Sequence, residues 1–385
     1  MSGGAGSAPG WDIAFFGSSL VSAYWNGAAT YYRGLLKALA DRGHRVTFYE
    51  PDAFGRQEHR DIPDPDWARV VVYPIGDAET ASADGARRCL EMARGAGLVV
   101  KASGVGVLDG FLEEAVLALQ GPETLVAFWD VDAPATLDRV GSDPGDPLRP
   151  LIPRYDLVLT YGGGPPVVSG YEGFGARRCT PIYNALDPAT HHPVPPEPRF
   201  ACDLAFLGNR LPDREARVEE FFFRAAELLP ERSLLLGGNG WGDRGLPANV
   251  RYLGHVYTRD HNALNSTPAA VLNVSRESMA RYGYSPATRV FEAAGAGACL
   301  VTDDWVGIEQ FLAPGEEVLV AEDGEEVAAR LAALSLERAR AIGDAARRRV
   351  LAEHTYAHRA AEVEAILEET AEARRSMPEL AELAR

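Results

Sequence analysis

Short apolar runs alternate along this chain with longer segments whose apolar residues recur every three or four positions, and the alternation happens twice over. Residues 11–16 read as a strand, Gly17-Ser18-Ser19 as a turn, 27–42 as an amphipathic helix closed by Gly43, and 44–50 as the next strand, an opening βαβ unit. Further strands are expected at 69–73, 97–101, 124–129, 156–160 and 178–182, with helices near 83–94, 108–119 and 165–172 between most of them. The passage 187–200, with prolines at 188, 193, 195, 196 and 198, breaks the pattern and reads as a linker. The second half restarts with strands at 203–207, 233–237, 250–253, 270–274, 298–302 and 317–321, helices at 213–229, 258–265 and 286–295, and two helices to about 350. This order predicts two α/β domains with parallel sheets, over 11–186 and 201–355, after a disordered tail at 1–10. A final helix near 356–375 is crowded with charge, so one packed stripe and a solvated face are expected of it.

The densest stretch is 270–304. Ala270-Val271-Leu272-Asn273-Val274 reads as a buried strand, Ser285 and Pro286 as an N-cap and first-turn pair, and Gly295 and Gly297 as the stop before the strand at 298–302. The helix N-terminus then faces a loop at the carboxyl edge of the sheet, where free amides and the helix dipole favour an anion such as a diphosphate. Tyr284 and Ser285 lie in that loop, and Arg276 and Arg289 flank it. Two guanidinium groups there would neutralise a leaving diphosphate, unless they are spent on surface pairs with Glu277 or Glu292. Glu292 itself sits among Val290, Phe291, Ala293 and Ala294, and a carboxylate so placed needs a partner.

The segments Asp203-Leu204-Ala205-Phe206-Leu207-Gly208-Asn209 with Asp213-Arg214, Arg251-Tyr252-Leu253-Gly254-His255-Val256, Asn273-Val274-Ser275-Arg276, Arg289-Val290-Phe291-Glu292-Ala293, and His354-Thr355-Tyr356 with Arg359 follow one family's order. Over about residues 150–365 the chain resembles the GT-B glycosyltransferases of the group 1 type, and more narrowly their spore-maturation CgeB-like branch. The resemblance implies two Rossmann-like α/β domains facing across a cleft, with a terminal helix in 356–385 crossing back to the first. It implies a nucleoside diphosphate sugar, a UDP-sugar first, as donor on the C-terminal domain, an acceptor on the N-terminal domain, no separate cofactor and no metal. Gly208, Asn209 and Arg214 fall where the family holds the diphosphate, Gly254, His255 and Val256 where its main chain reads the base, and Glu292 where it binds the ribose. The family's other glutamate, eight positions earlier, is replaced here by Tyr284, so retention and inversion both stay open.

Taken on their own, several of these residues have second readings. Arg214 can grip a diphosphate or pair with Glu215 or Glu219. Gly238, in the run Leu236-Gly237-Gly238-Asn239-Gly240-Trp241, lets a flat ring approach the backbone or simply makes a turn. Asp130 and Asp132 follow the strand at 124–129 and, if extended, point the same way, so that either could take the proton of an acceptor. Capping of a helix starting at Pro134 is the alternative for Asp132, which matches the Asp-x-Pro of the family. Asn26 and Gly27, at the first helix start, are candidate acceptor contacts. His354 and His358 have the spacing of zinc ligands but no third ligand at a matching distance along the chain.

A net charge of −17 argues against nucleic acid or an anionic membrane as a general partner. Arg outnumbers Lys by 36 to 2, so nearly every cation can bind phosphate through a bidentate fork. Four cysteines without Cys-x-x-Cys spacing read as buried free thiols of a cytoplasmic protein, and neither a signal peptide nor a membrane span is expected. The glycine turn after the first strand is not Gly-x-Gly-x-x-Gly and no Walker A sequence is present. A nucleotide-sugar epimerase of the same fold and a non-catalytic partner subunit remain alternatives to sugar transfer.

Overall fold

The computed structural model describes residues 10–24, 26–76 and 82–376; all but Gly10 of the expected disordered tail lies outside them. The chain divides into two compact units, Met1–Tyr183 with Tyr356–Arg385, and Asn184–Thr355.

The first unit holds strands β1 (Asp12–Phe16), β2 (Arg45–Asp52), β3 (Ala68–Pro74), β4 (Leu98–Ala102), β5 (Leu125–Asp130), β6 (Leu157–Thr160) and β7 (Cys179–Pro181). They form one parallel sheet in the order β3-β2-β1-β4-β5-β6-β7. The chain moves outward to β3 and then returns beside β1, so the carboxyl ends of β1 and β4 mark the switch point of a doubly wound fold. β4, β5 and β6 are buried at every position, as a parallel sheet covered on both faces requires. The terminal helix Tyr356–Arg375 packs on the helix Ala29–Asp41 of this unit. Gly34 makes room for it: a Cβ there would come within 2.2 Å of the Tyr356 ring. Arg374 closes the far end on Asp156 at 3.2 Å.

The second unit holds β8 (Leu204–Leu207), β9 (Leu234–Gly237), β10 (Val250–Gly254), β11 (Ala270–Asn273), β12 (Leu300–Asp303) and β13 (Leu319–Ala321). This parallel sheet runs β10-β9-β8-β11-β12-β13, with its switch point between β8 and β11. Its core gathers Phe206, Phe222, Phe223 and Trp241 with the aliphatic strand residues.

Three local expectations change. The supposed linker belongs to the second unit: the Glu197 amide donates to Thr267 Oγ1, and Phe200 and His191 are buried. The helix expected over 213–229 is built in three pieces, Glu215–Val218, a π turn at Glu219–Phe223 and Arg224–Leu228. The wider turn places Phe221, Phe222 and Phe223 all inside. A short helix, Glu277–Tyr282, occupies part of what reads as loop.

Candidate functional site

The carboxyl ends of β8, β9 and β10 bring three glycine turns side by side. The Gly208 amide donates to the Gly237 carbonyl at 2.9 Å, and the Gly238 amide to the Gly254 carbonyl at 2.7 Å. Asn209 Oδ1 accepts from the Asn239 amide at 2.9 Å. Gly238 has φ 115°, and a Cβ on it would lie 2.2 Å from the Gly208 carbonyl oxygen, so only glycine fits. Trp241 does not offer a ring face to a ligand. It is fully buried, and its Nε1 donates to the Gly208 carbonyl at 2.8 Å, pinning two of the turns together.

Arg214 precedes the helix Glu215–Val218, and its guanidinium lies 3.0 Å from where a Cβ on Gly208 would stand. Glu215 carries Arg210 at 2.5 Å, and Glu219 carries Arg244 at 2.6 Å. Arg289 lies over the Phe206 ring, 5.6 Å from its centre. Burial pulls its pKa down to about 10, repulsion from Arg214 acts the same way, and Glu292 opposes both. The Arg289 guanidinium therefore stays charged at neutral pH. The two like charges repel each other within electrostatic reach, and a group of negative charge between them would be attracted by both.

The helix bearing Arg289 and Glu292 runs Thr288–Gly295 and starts two residues later than expected. Its N-cap is Ala287, with no side-chain cap; the Ser285 hydroxyl turns instead to the Gly283 carbonyl at 2.9 Å. Its first amides are thus left uncapped by any side chain. Gly297, at φ 77°, ends it as expected from its position. The approach loop is constrained by Tyr284, a non-glycine residue at φ 47° whose amide donates to the Val306 carbonyl at 2.6 Å. Asn184 closes the other side, donating to the Pro286 carbonyl at 3.2 Å and accepting from Thr288 Oγ1 at 3.3 Å.

Glu292 has the partners its surroundings demand. His191 Nε2 lies 3.6 Å from its carboxylate, and His261 joins them, with one ligand atom from each of the three within 4.8 Å of the others. Neither histidine stands out in the sequence: one lies in the supposed linker and the other starts a short helix, His261–Ser266. Burial lowers the pKa of His261, with Glu292 opposing.

Arg276 pairs with Asp213, an acid not among its expected partners. Beneath it, the fully buried Asp303 accepts from Arg217 at 2.7 Å and from the Ser275 amide at 3.1 Å. Burial raises the Asp303 pKa against the pull of Arg217. Only a polar residue at the end of β12 hinted at this support. His255 is exposed and packs edge-on against Tyr257, while the Val256 side chain is buried with Phe200, Ala205 and Leu235. Just before them, Gly254 at the end of β10 pairs with Gly237 of β9.

In the first unit the two aspartates part company. Asp130 is fully buried, accepting from Ser103 Oγ at 2.7 Å, from the Asp132 amide at 3.0 Å, and from the Tyr171 hydroxyl. The chain bends at Asp132, φ −142° and ψ 49°, so the two carboxylates do not project together from an extended strand. Asp132 precedes the helix Ala133–Ser142 but makes no side-chain cap, and it is only half-buried. The Asn26 side chain is spent on its own loop, accepting from Ser18 Oγ at 2.8 Å and donating to the carbonyls of Ser19 and Ser22. Gly27 is exposed. His354 is buried between the rings of Phe291 and Phe311, whereas His358 is exposed.

Residues 214–365 match the protein family described as Glycosyl transferase-like. Among solved structures, sucrose-phosphate synthase from Thermosynechococcus elongatus is 15% identical, with a TM-score of 0.66 over 94% of this chain and 100% of that one. The fold is GT-B. HepE of Anabaena in complex with UDP-glucose, also similar, gives 13% identity and a TM-score of 0.62 over 93% of this chain and 100% of that one. AviGT4, a glycosyltransferase involved in avilamycin A biosynthesis, is 18% identical, with a TM-score of 0.60 over 94% of this chain and 98% of that one. No curated protein sequence gives a significant match. The family match begins at Arg214 and takes in Arg276, Arg289 and Glu292, so it covers the charged part of the second GT-B unit. Among the described residues no helix is long and apolar enough to cross a membrane.

Proposed function

We propose that this chain is a metal-independent glycosyltransferase that moves a sugar from a nucleoside diphosphate sugar, a UDP-sugar first, to an acceptor. The observation that carries the reading is the charge pattern of the second unit. Arg214 and Arg289 repel each other beside the glycine turns, and Glu292 follows Arg289 by one helical turn on the same face. A diphosphate between the arginines leaves its ribose hydroxyls to donate to Glu292, with the base against the Gly254–Val256 main chain. HepE, similar in fold, is known with UDP-glucose bound, and this favours uridine.

Chemistry follows from the same charges. As the bond between the sugar and the diphosphate breaks, negative charge grows on the leaving oxygen, and the fixed guanidinium groups stabilise it where it appears. No metal is needed for that step. Asp132 is assigned the proton of the acceptor hydroxyl or the steadying of the sugar; Asp130, already holding three donors, supports the turn between them. A CgeB-like affinity and a cytoplasmic setting complete the reading, the latter in keeping with the free, buried Cys89, Cys179 and Cys299. The test is release of nucleoside diphosphate from a panel of nucleotide sugars by the purified protein. UDP set free only on addition of an acceptor is the expected result. Absence of any release, together with no thermal shift by millimolar UDP, TDP or GDP, would overturn it.

A further inference from the structure

We infer that His191, His261 and Glu292 form a binding site for a divalent transition metal of the zinc type, whose occupation competes with the nucleotide. Three chain segments far apart in sequence converge on it, with one candidate ligand atom from each within 4.8 Å of the others. Two imidazoles and a carboxylate are a donor set that suits zinc, leaving the fourth tetrahedral position to solvent. Bonds of about 2.0–2.1 Å put neighbouring tetrahedral ligands roughly 3.3 Å apart, and His191 Nε2 already stands 3.6 Å from the Glu292 carboxylate. Closing the group on an ion needs shifts of well under an ångström at that edge.

The surroundings are also those of a ligand site. His191 keeps Nδ1 on Thr190 Oγ1 at 2.9 Å, which fixes the ring and turns Nε2 towards Glu292. An imidazole anchored through one nitrogen with the other facing a carboxylate is the usual geometry of a ligating histidine. The charge of Arg289 nearby works against a dication, and Glu292 offsets it.

Competition rests on the reading of Glu292 as the ribose contact; the metal site itself does not. A ribose diol and a metal ion cannot both take the same carboxylate oxygens. Zinc is then an inhibitor of transfer that acts at the donor, not a helper in the chemistry.

Titration calorimetry of zinc chloride into the metal-stripped full chain tests this. One ion per chain is expected, weakened at least tenfold by each of His191→Ala and His261→Ala. The milder His191→Asn and His261→Gln, checked for an unchanged unfolding temperature in the absence of metal, guard against a folding defect. The cobalt(II) form should show a four-coordinate spectrum without a thiolate charge-transfer band, which separates this site from the free cysteines. No saturable binding, binding that survives both histidine substitutions, or a thiolate band would overturn the proposal. Saturating UDP should weaken zinc binding at least tenfold. Zinc bound at these residues but indifferent to UDP would uphold the metal site and instead sink the placement of the ribose at Glu292. Loss of UDP affinity in Glu292→Ala with no zinc binding by the parent chain would do the reverse.

Discussion

The two sheets of this protein end in polar clusters of opposite character. At the carboxyl edge of the first, charges and dipoles satisfy one another: Asp130 takes three donors, Asn26 makes three bonds within its loop, and the buried Lys101 is held by Asp109 at 2.7 Å and the Ala102 carbonyl at 2.6 Å. At the edge of the second, Arg289 lies in a low-dielectric setting with another arginine as a main electrostatic neighbour and Glu292 opposing it, in the unit whose glycine turns pack backbone on backbone. A self-satisfied cluster holds a scaffold in place. In the second, the repulsion between Arg214 and Arg289, which Glu292 already opposes in part, is what the proposed donor diphosphate would relieve.

The contrast is broken most directly at Arg289. If its charge stabilises the leaving diphosphate, Arg289→Ala should lower turnover by roughly 10²–10³-fold, the scale of one lost transition-state donor. Initial rates with saturating donor measure it, and a rate within threefold of the parent would remove the arginine from the chemistry. Next in size is a prediction about stability. Asp130→Ala strands the Tyr171 and Ser103 hydroxyls and the Asp132 amide, so unfolding in urea should show a loss of about 3 kcal/mol. Unchanged stability would mean that the first cluster is not the scaffold described.

Asp132→Asn sharpens the same comparison within one loop. Turnover should fall about 10²-fold while UDP affinity and stability stay near the parent values, because Asp132 makes no side-chain cap to lose. Normal turnover in this variant leaves the acceptor proton without an assigned base. Glu292→Ala should act on the other quantity, weakening UDP by roughly 1.5–3 kcal/mol, the worth of hydrogen bonds to a charged group. Calorimetry that finds the parent affinity would move the ribose elsewhere.

Much of this contrast was legible in the sequence, and what was not has a physical reason. Strand positions came through within a residue or two, since apolar runs such as Leu204–Leu207 and Ala270–Asn273 can be buried on both faces only as central parallel strands. Glu292 was visible for the opposite reason, as a charge in an apolar helix, and Arg289 as one of two arginines flanking the loop. Ser285 and Pro286 misled because the local capping pattern competes with the Gly283 carbonyl, which the loop brings to the same hydroxyl. His191 was hidden by five nearby prolines that mimic a linker, although its backbone packs with the second unit. Contacts between segments so distant leave no periodicity to read. Trp241 and Asp130 show the same limit: an aromatic or an acid at a strand end looks like a site until its buried partners are seen.

The smallest effect expected is on pH, and it tests whether the histidines beside Glu292 are part of the unbalanced edge. Burial lowers the His261 pKa in the folded chain, with Glu292 opposing and His191 and Arg289 acting in the same direction as burial. The unfolded chain, with an ordinary value of about 6.5, therefore takes up its proton first as the pH falls. The contribution to stability is fully present above that value and is lost progressively below it, as the pH drops towards the folded value. A single proton gives a slope of at most about 1.4 kcal/mol per pH unit, and a partial shift gives less. His261→Gln cannot take up this proton, so the difference in stability between parent and variant should be constant above pH 7 and narrow or reverse below 6. Urea unfolding of both proteins across that range measures it. Parallel curves would mean that His261 keeps an ordinary affinity for protons, and that the positive charge of this edge stops at the arginines.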